Sequence, residues 1–423
     1  MRFLIDHITS LLRWSEKYTK TDMIYLAGSG WWMALGTIVL SFGSLILYIV
    51  FAHTLPKEVY GTYQYLISAG AIIGAFTLTG MNTAVARAVA QGYEGVLHKA
   101  VRTQLLFGII PFLIGASGSL YYFIQNNTVL SVGFLLLGIF IPLINAFNTY
   151  GAFLHGKKDF KRGFFYGLVW NLPYYAILVG VSFIAPFALA LLFGSLLVQA
   201  VATGYLLNRV IRTCVNNNNH DKDAIEYGKH LSIMNLPTTV ATQIDAVLAF
   251  HFLGAAPLAL YSFATAIPER LSGLFKFIPT AALPKLSEKN PEEIRAILGK
   301  SRIWVAIFML LFAALGYALI APYLFMFLFP TYTDAVPFSQ WYGLIFLTVI
   351  GNLFVTGLTA QRDIKDLYIY NVVSPSIQIL LQFVGIVFYG LWGLIVGRLI
   401  SMGFSILLAS ALLFRKHGPQ SNV

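Results

Sequence analysis

Five charged side chains interrupt long apolar stretches of this sequence: Asp245, Glu269, Arg270, Lys276 and Arg398. Each would cost roughly 2.5–3.5 kcal/mol at the centre of a bilayer, so each must meet a partner or a water-filled cavity. Two chemistries suit such a set. The charges can pair internally and only support packing, or the cations can line a path for an anionic ligand. Glu269 and Lys276 share one helical face, two turns apart. Arg270 points about 100° away, towards Asp245 on a neighbouring helix or towards a cavity edge. Arg398 has no acidic partner in its own stretch, which makes it the better candidate for an anionic ligand.

Uncharged polar residues extend the pattern. Ser262, Thr265, Glu269, Ser272, Lys276 and Thr280 fall within an arc of about 80° on a helix. Asn235, Thr238, Thr242 and Asp245 form a second stripe, Thr348, Asn352, Thr356 and Thr359 a third, and Asn371, Ser374, Gln378, Gln382 and Tyr389 a fourth. Helix–helix packing explains any one such stripe. Several together, two of them charged, point to a shared cavity. The candidate substrate-binding cations are therefore Arg270, Lys276 and Arg398. Asp245, Glu269, Asn235, Gln378, Gln382 and Asn352 are the candidate polar and ion-pairing residues around them.

Signatures of catalysis are missing from the sequence. There is no P-loop, zinc spacing or nucleophile elbow. Asp221-x-Asp223 has the form of a metal-binding acidic pair but lies in a polar linker. Asn126-Asn127-Thr128 is a formal glycosylation sequon and reads as a turn. The short loops on one side carry Glu58 and Asp334 as their only acids, too little for a membrane glycosyltransferase or ligase. No cofactor or metal is expected.

The elements that must position these residues are helices in a bilayer. Of 423 residues, 58% are hydrophobic and 11% charged, against about 25% charged in a soluble domain. Apolar stretches at 31–51, 62–81, 103–124, 129–154, 163–184, 187–207, 230–253, 258–281, 303–329, 338–359, 368–388 and 391–413 each approach the ~20 residues of a span. With the N-terminus inside, 24 of the 28 Lys and Arg fall in cytoplasmic segments and one, Lys57, falls outside. That asymmetry puts both termini in the cytoplasm of a multi-pass cell (inner) membrane protein. It also accounts for the net charge of +11 without nucleic acid. Residues 1–22 alternate apolar and basic positions like an amphipathic helix on the inner leaflet.

The linker 208–229 divides the spans six and six. His53-x-Leu55 and Tyr63-x-Tyr65 recur 198 residues later as His251-x-Leu253 and Tyr261-x-Phe263. An even number of spans per half makes the repeat parallel. The expected fold is all-α and integral to the membrane, with about twelve helices in two pseudo-symmetric six-helix bundles around a central cavity. The expected domains are an amphipathic segment 1–25, a first bundle 26–207, the linker 208–229, a second bundle 230–414 and a tail 415–423.

Several motifs resemble the polysaccharide-export flippases. They are Ile244-Asp245 running to Leu253-Gly254, Leu260-Tyr261 to Ala264, and Ile278-Pro279 to Pro284 and Ser287. In the first half, Leu55-Pro56-x-Glu58-x-Tyr60-Gly61-x-Tyr63, Gly80 to Arg87 and Gly156 to Phe160 are similar to that family too. Ala259 departs from the usual glycine. The resemblance implies the multidrug/oligosaccharidyl-lipid/polysaccharide exporter fold and alternating access. It implies a polyprenyl-diphosphate-linked glycan, of the O-antigen or teichoic-acid kind, carried to the external leaflet. The partners then are that substrate, membrane lipid and glycan-assembly proteins, around a monomer. A cation-coupled multidrug or small-molecule exporter of the same fold is the alternative, and a membrane-embedded glycosyltransferase or polymer ligase the second, against which the short loops argue.

Overall fold

The computed structural model describes residues 23–415 except 220, 222, 276–277, 280–281, 283–285, 287–288 and 362–363. The amphipathic segment 1–22, Lys276 and the Pro284 and Ser287 positions of the family-like motif lie outside the described residues. The elements in order are α1 (Met23–Thr54), α2 (Lys57–Ala75), α3 (Met81–Ala90), α4 (Val96–Phe107), α5 (Ile109–Ile124), α6 (Thr128–Phe147), α7 (Thr149–Gly156) and α8 (Phe160–Ile184). They continue with α9 (Ala188–Cys214), α10 (Ala224–Leu253), α11 (Ala255–Phe275), α12 (Pro291–Leu311), a π-turn (Phe312–Tyr317) and α13 (Ala318–Leu328). After α13 come two 3₁₀ segments, Pro330–Ala335 and Gly343–Leu347, flanking α14 (Val336–Tyr342), then α15 (Thr348–Ala360) and α16 (Ile364–Phe414).

Local chemistry sets the helix starts. The Asn127 side chain accepts from Leu130 N–H at 3.0 Å and opens α6. Asp159 does the same for α8 through Arg162 N–H at 3.1 Å. Asn290 caps α12 by accepting from Glu293 N–H at 2.9 Å, with Pro291 in the first turn. Each replaces a bond that a helix end leaves unmade. Asn126, in the sequon, takes a left-handed φ of 58° in the turn before α6.

Among the described residues, seven helical stretches are long and apolar enough to cross a membrane: 35–54, 96–124, 128–156, 160–184, 188–214, 330–360 and 365–414. The last has 50 residues, more than twice a span. It breaks at Gly390, whose φ of 59° and ψ of −136° suit only glycine. The chain doubles back there, and Gly385 and Gly393 meet backbone to backbone: a Cβ on Gly385 would lie 2.2 Å from the Gly393 carbonyl oxygen. This hairpin corresponds to the expected spans 368–388 and 391–413. The expected spans 62–81, 230–253, 258–281 and 303–329 fall on α2, α10, α11 and α12–α13 but outside the seven, so the count of twelve stays an expectation. Large apolar side chains point outward, as at Phe123, Ile184, Phe327 and Leu407, which suits a lipid surround.

Packing divides the chain into two compact units, one of residues up to 50, 76–185 and 190–233, the other of 51–75, 186–189 and from 234 on. In the first, Met81, Val85, Leu97, Phe153, Leu206 and Val210 form a core. The linker is shorter than its polar composition suggests, since α9 runs to Cys214 and α10 starts at Ala224. Its asparagines are tied down. Glu94 is 5% exposed and accepts from Lys157 Nζ and from Asn216 N–H at 2.6 Å. Asn217 donates to Gly92 O at 3.2 Å.

In the second unit α2 packs along α11, so the two helices related by the 198-residue repeat lie face to face. Tyr60 and Phe263 rings approach to 4.9 Å, and Tyr65 stacks on Phe250 at 4.0 Å. The repeat is visible in burial as well: Tyr63 and Tyr65 are buried like their counterparts Tyr261 and Phe263. A Cβ on Gly61 would fall 1.8 Å from Ala255 O, so only glycine fits this approach. At one end of the contact, Thr331 Oγ1 donates to Ala52 O at 2.6 Å and Lys57 pairs with Asp334 at 3.5 Å.

Candidate functional site

The second unit holds a polar cluster built from α10, α11, α14 and α16, buried at Asp245, Tyr261 and Tyr342 and exposed at Glu269. Asp245 on α10 is 6% exposed. Its Oδ2 accepts from the Tyr261 hydroxyl on α11 at 2.6 Å, and its Oδ1 accepts from Ala246 N–H at 2.9 Å. Glu269, two turns further along α11, accepts from the Tyr342 hydroxyl on α14 at 2.9 Å. The two tyrosine rings meet edge to face at 6.5 Å. Arg398, on the second arm of α16, lies within electrostatic reach of Asp245, Glu269 and both tyrosines. Its Nη1 is buried and has no hydrogen-bond partner. The cluster therefore sets two carboxylates around one guanidinium.

The Gln378 amide donates to Ala241 O at 2.5 Å, one turn before Asp245. Gln382 lies one turn further along α16, wholly buried, with neither amide atom partnered. A Cβ on Gly397, next to Arg398, would lie 3.2 Å from Gln382 Cα, so the two arms of the hairpin bring Gln382 and Arg398 to one level.

The sequence-predicted residues thus divide. Asp245, Glu269 and Arg398 come together, with Gln378 and Gln382 on the adjoining arm. Arg270 turns back on its own helix, where Nη1 donates to Ala266 O at 2.8 Å. Asn235 is exposed and sits about 15 Å of helix before Asp245. Asn352 is half-buried on α15. Two participants went unrecognised from sequence. Tyr261 stood out in the repeat and the family-like motif but not as a partner for a carboxylate, and Tyr342 was not singled out as one either. Tyr342 is wholly buried, whereas Trp341 is 58% exposed. No helical projection of one span can show that a tyrosine answers a carboxylate on another.

Among the described residues no group of three or more His, Cys, Asp or Glu could hold a metal ion. Asp221 and Asp223 form a local turn, with Asp223 N–H donating to Asp221 Oδ1 at 3.0 Å.

The sequence profile of the polysaccharide biosynthesis protein family matches residues 26–290. The chain belongs to that family. Among solved structures, this polysaccharide biosynthesis protein is similar to an inward-facing multidrug resistance MATE transporter of the MOP superfamily. There the identity is 12%, the TM-score 0.64, and the alignment covers 88% of this chain and 92% of that one. It is similar to the lipid II flippase MurJ in an inward closed conformation, at 15% identity and TM-score 0.64, over 89% of this chain and 86% of that one. A MOP superfamily transporter from Pyrococcus furiosus, described as having a binding pocket of reversed polarity, aligns at 13% identity and TM-score 0.56, over 92% and 95%. No curated protein matches it in sequence. The polysaccharide biosynthesis protein is thus an all-α, multi-pass membrane protein with the fold of MOP-superfamily transporters and flippases.

Proposed function

We propose that this chain moves a polyprenyl-diphosphate-linked oligosaccharide from the cytoplasmic to the external leaflet by alternating access, for cell-surface polysaccharide assembly. One coincidence carries the reading: a polysaccharide-biosynthesis family sequence on a fold shared with a lipid II flippase. Such a cargo asks for a polar interior that can take an anion across hydrocarbon, and the cluster around Arg398 supports one. Asp245 and Glu269 hold the guanidinium when no cargo is present, and the unpartnered Nη1 takes a diphosphate oxygen when it is. Charge-assisted bonds of this kind are the strong ones. On this reading Arg270 on α11 is a further cation for the cargo, and the sequence adds Lys276. The chain acts as a monomeric carrier rather than as a glycosyltransferase, with no cofactor. The twelve spans fall into two six-helix halves with both termini in the cytoplasm.

The test is export in a host lacking its own flippase. Arg398→Ala should abolish surface glycan while leaving the protein in the membrane. Wild-type glycan levels with Arg398→Ala would remove the arginine from the mechanism.

A second reading has its own observation. Two carboxylates face one guanidinium in the cluster, which leaves an excess negative charge suited to a cation-coupled exporter of the same fold. Uptake of a cationic dye into inverted vesicles, abolished by Asp245→Asn and Glu269→Gln, would favour it.

A further inference from the structure

In the first unit a cleft of about 300 Å³ opens between α1, α7 and α8. Aromatic rings form its walls: Trp32 lies 5.4 Å from Phe164, and Tyr150 and Trp170 line the cleft beside them. Its space is made by glycines. A Cβ at Gly151, Gly163 or Gly167 would meet nothing within 4 Å. Beside the cleft, Leu40 O, on a lining residue, accepts from the Tyr175 hydroxyl at 3.1 Å.

Basic residues border the cleft beside Trp32. Lys161 is exposed, and its Nζ sits 5.9 Å from the Trp32 ring centroid. Among the described residues it makes no ion pair. Lys158 and Arg162 flank it. Asp159, the acid at this border, is occupied: it caps α8 through Arg162 N–H and pairs with Arg162 Nε at 3.1 Å. The cleft thus offers a cation at its border and an apolar, ring-lined slot beside it, the profile of an amphiphile with an anionic head. At roughly 30 Å³ per water-sized group, its volume takes on the order of ten heavy atoms. That matches one phosphate and one isoprene unit.

We propose that this cleft binds the phosphate-to-chain junction of a polyprenyl-phosphate carrier, with Lys161 meeting the phosphate and the Trp32, Phe164 and Trp170 rings meeting the first isoprene unit. Naming the carrier rests on the flippase reading above; the cleft and its polarity do not. The site then takes the carrier's phosphate where the basic residues gather, before transfer to the interior.

The test uses the full chain in detergent micelles with undecaprenyl phosphate as probe, read by native mass spectrometry. Gly167→Leu fills the slot without a steric clash and should weaken retention about tenfold, which is 1.4 kcal/mol. Lys161→Gln, a surface change, should weaken it severalfold. Gly180→Leu, the same substitution on α8 at another open position outside the cleft, should bind as wild type. Wild-type retention by both Gly167→Leu and Lys161→Gln would overturn the proposal. So would equal displacement of the probe by phosphatidylglycerol at the same mole fraction. If wild type binds the probe but exports no glycan in any host, the flippase reading fails and the cleft stands. If wild type exports glycan and the cleft variants bind normally, the cleft fails and the flippase reading stands.

Discussion

The Tyr261 hydroxyl donates to Asp245 Oδ2 across 2.6 Å, joining α11 to α10 in the interior of an otherwise apolar unit. A hydrogen bond to a buried carboxylate is worth about 1.5–3 kcal/mol. Tyr261→Phe should cost that much in thermal or denaturant stability of the purified protein, and Tyr342→Phe less, because its acceptor Glu269 is exposed. The tyrosine and carboxylate changes should be non-additive. A double-mutant cycle on Tyr261→Phe and Asp245→Asn with no coupling would separate the two residues.

Gly61 on α2 allows the close contact with α11. The Cβ of any other residue would lie 1.8 Å from Ala255 O, and overpacking of this kind costs about 1–3 kcal/mol or more. Gly61→Val should lower the melting temperature and the yield of monodisperse protein. Ala259→Gly, the repeat-related position and already small, should do little. Equal stability for Gly61→Val and wild type would contradict the packing described.

Glu94 supplies a pH dependence. Burial alone would raise its pKa, but Asn216 N–H and the Lys157 ammonium outweigh it and hold the carboxyl below its ordinary value. A group with a depressed folded pKa stabilises the fold above its unfolded pKa, and the contribution fades as pH falls through the folded one. The wild type should therefore lose stability on acidification below the ordinary glutamate range, near pH 4.5 and lower. Glu94→Gln should cost about 1–3 kcal/mol at neutral pH and flatten that acid limb. An unchanged acid limb in Glu94→Gln would place the titration elsewhere.

At the other end of the chain's charge pattern, Lys57 and Asp334 pair at 3.5 Å on an exposed surface. Such pairs contribute about 0–1 kcal/mol. Asp334→Asn should leave stability within that range at physiological salt. A loss of several kcal/mol would show that the pair is part of a larger network.

How legible was this in the sequence? The membrane class and helical fold followed from the scarcity of charge and the apolar stretches, because a bilayer permits few other solutions. The turn between the last two helices followed from spacing around Gly390. Asp245, Glu269 and Arg398 were legible because a charge in hydrocarbon must be answered. What answered them was not. Tyr342 looks like an interface residue in sequence, and only the packing of α14 against α11 turns it inward onto Glu269. Arg270 follows Glu269 in sequence, and its Nη1 donates to Ala266 O on its own helix, a local bond that a helical projection does not show. The linker is polar in sequence, and Glu94 holds Asn216 in it from over 100 residues away, a distance no local pattern reports.

The measurement that bears most directly on the central claim is the location of lipid-linked sugar in a host whose own flippase has been deleted. Expression of this chain should clear the polyprenyl-diphosphate-linked oligosaccharide from the cytoplasmic leaflet and restore surface glycan, and Arg398→Ala should leave it trapped inside. Lipid-linked sugar that stays on the cytoplasmic side with the wild-type chain folded and in the membrane, across the glycan types supplied, would contradict the account.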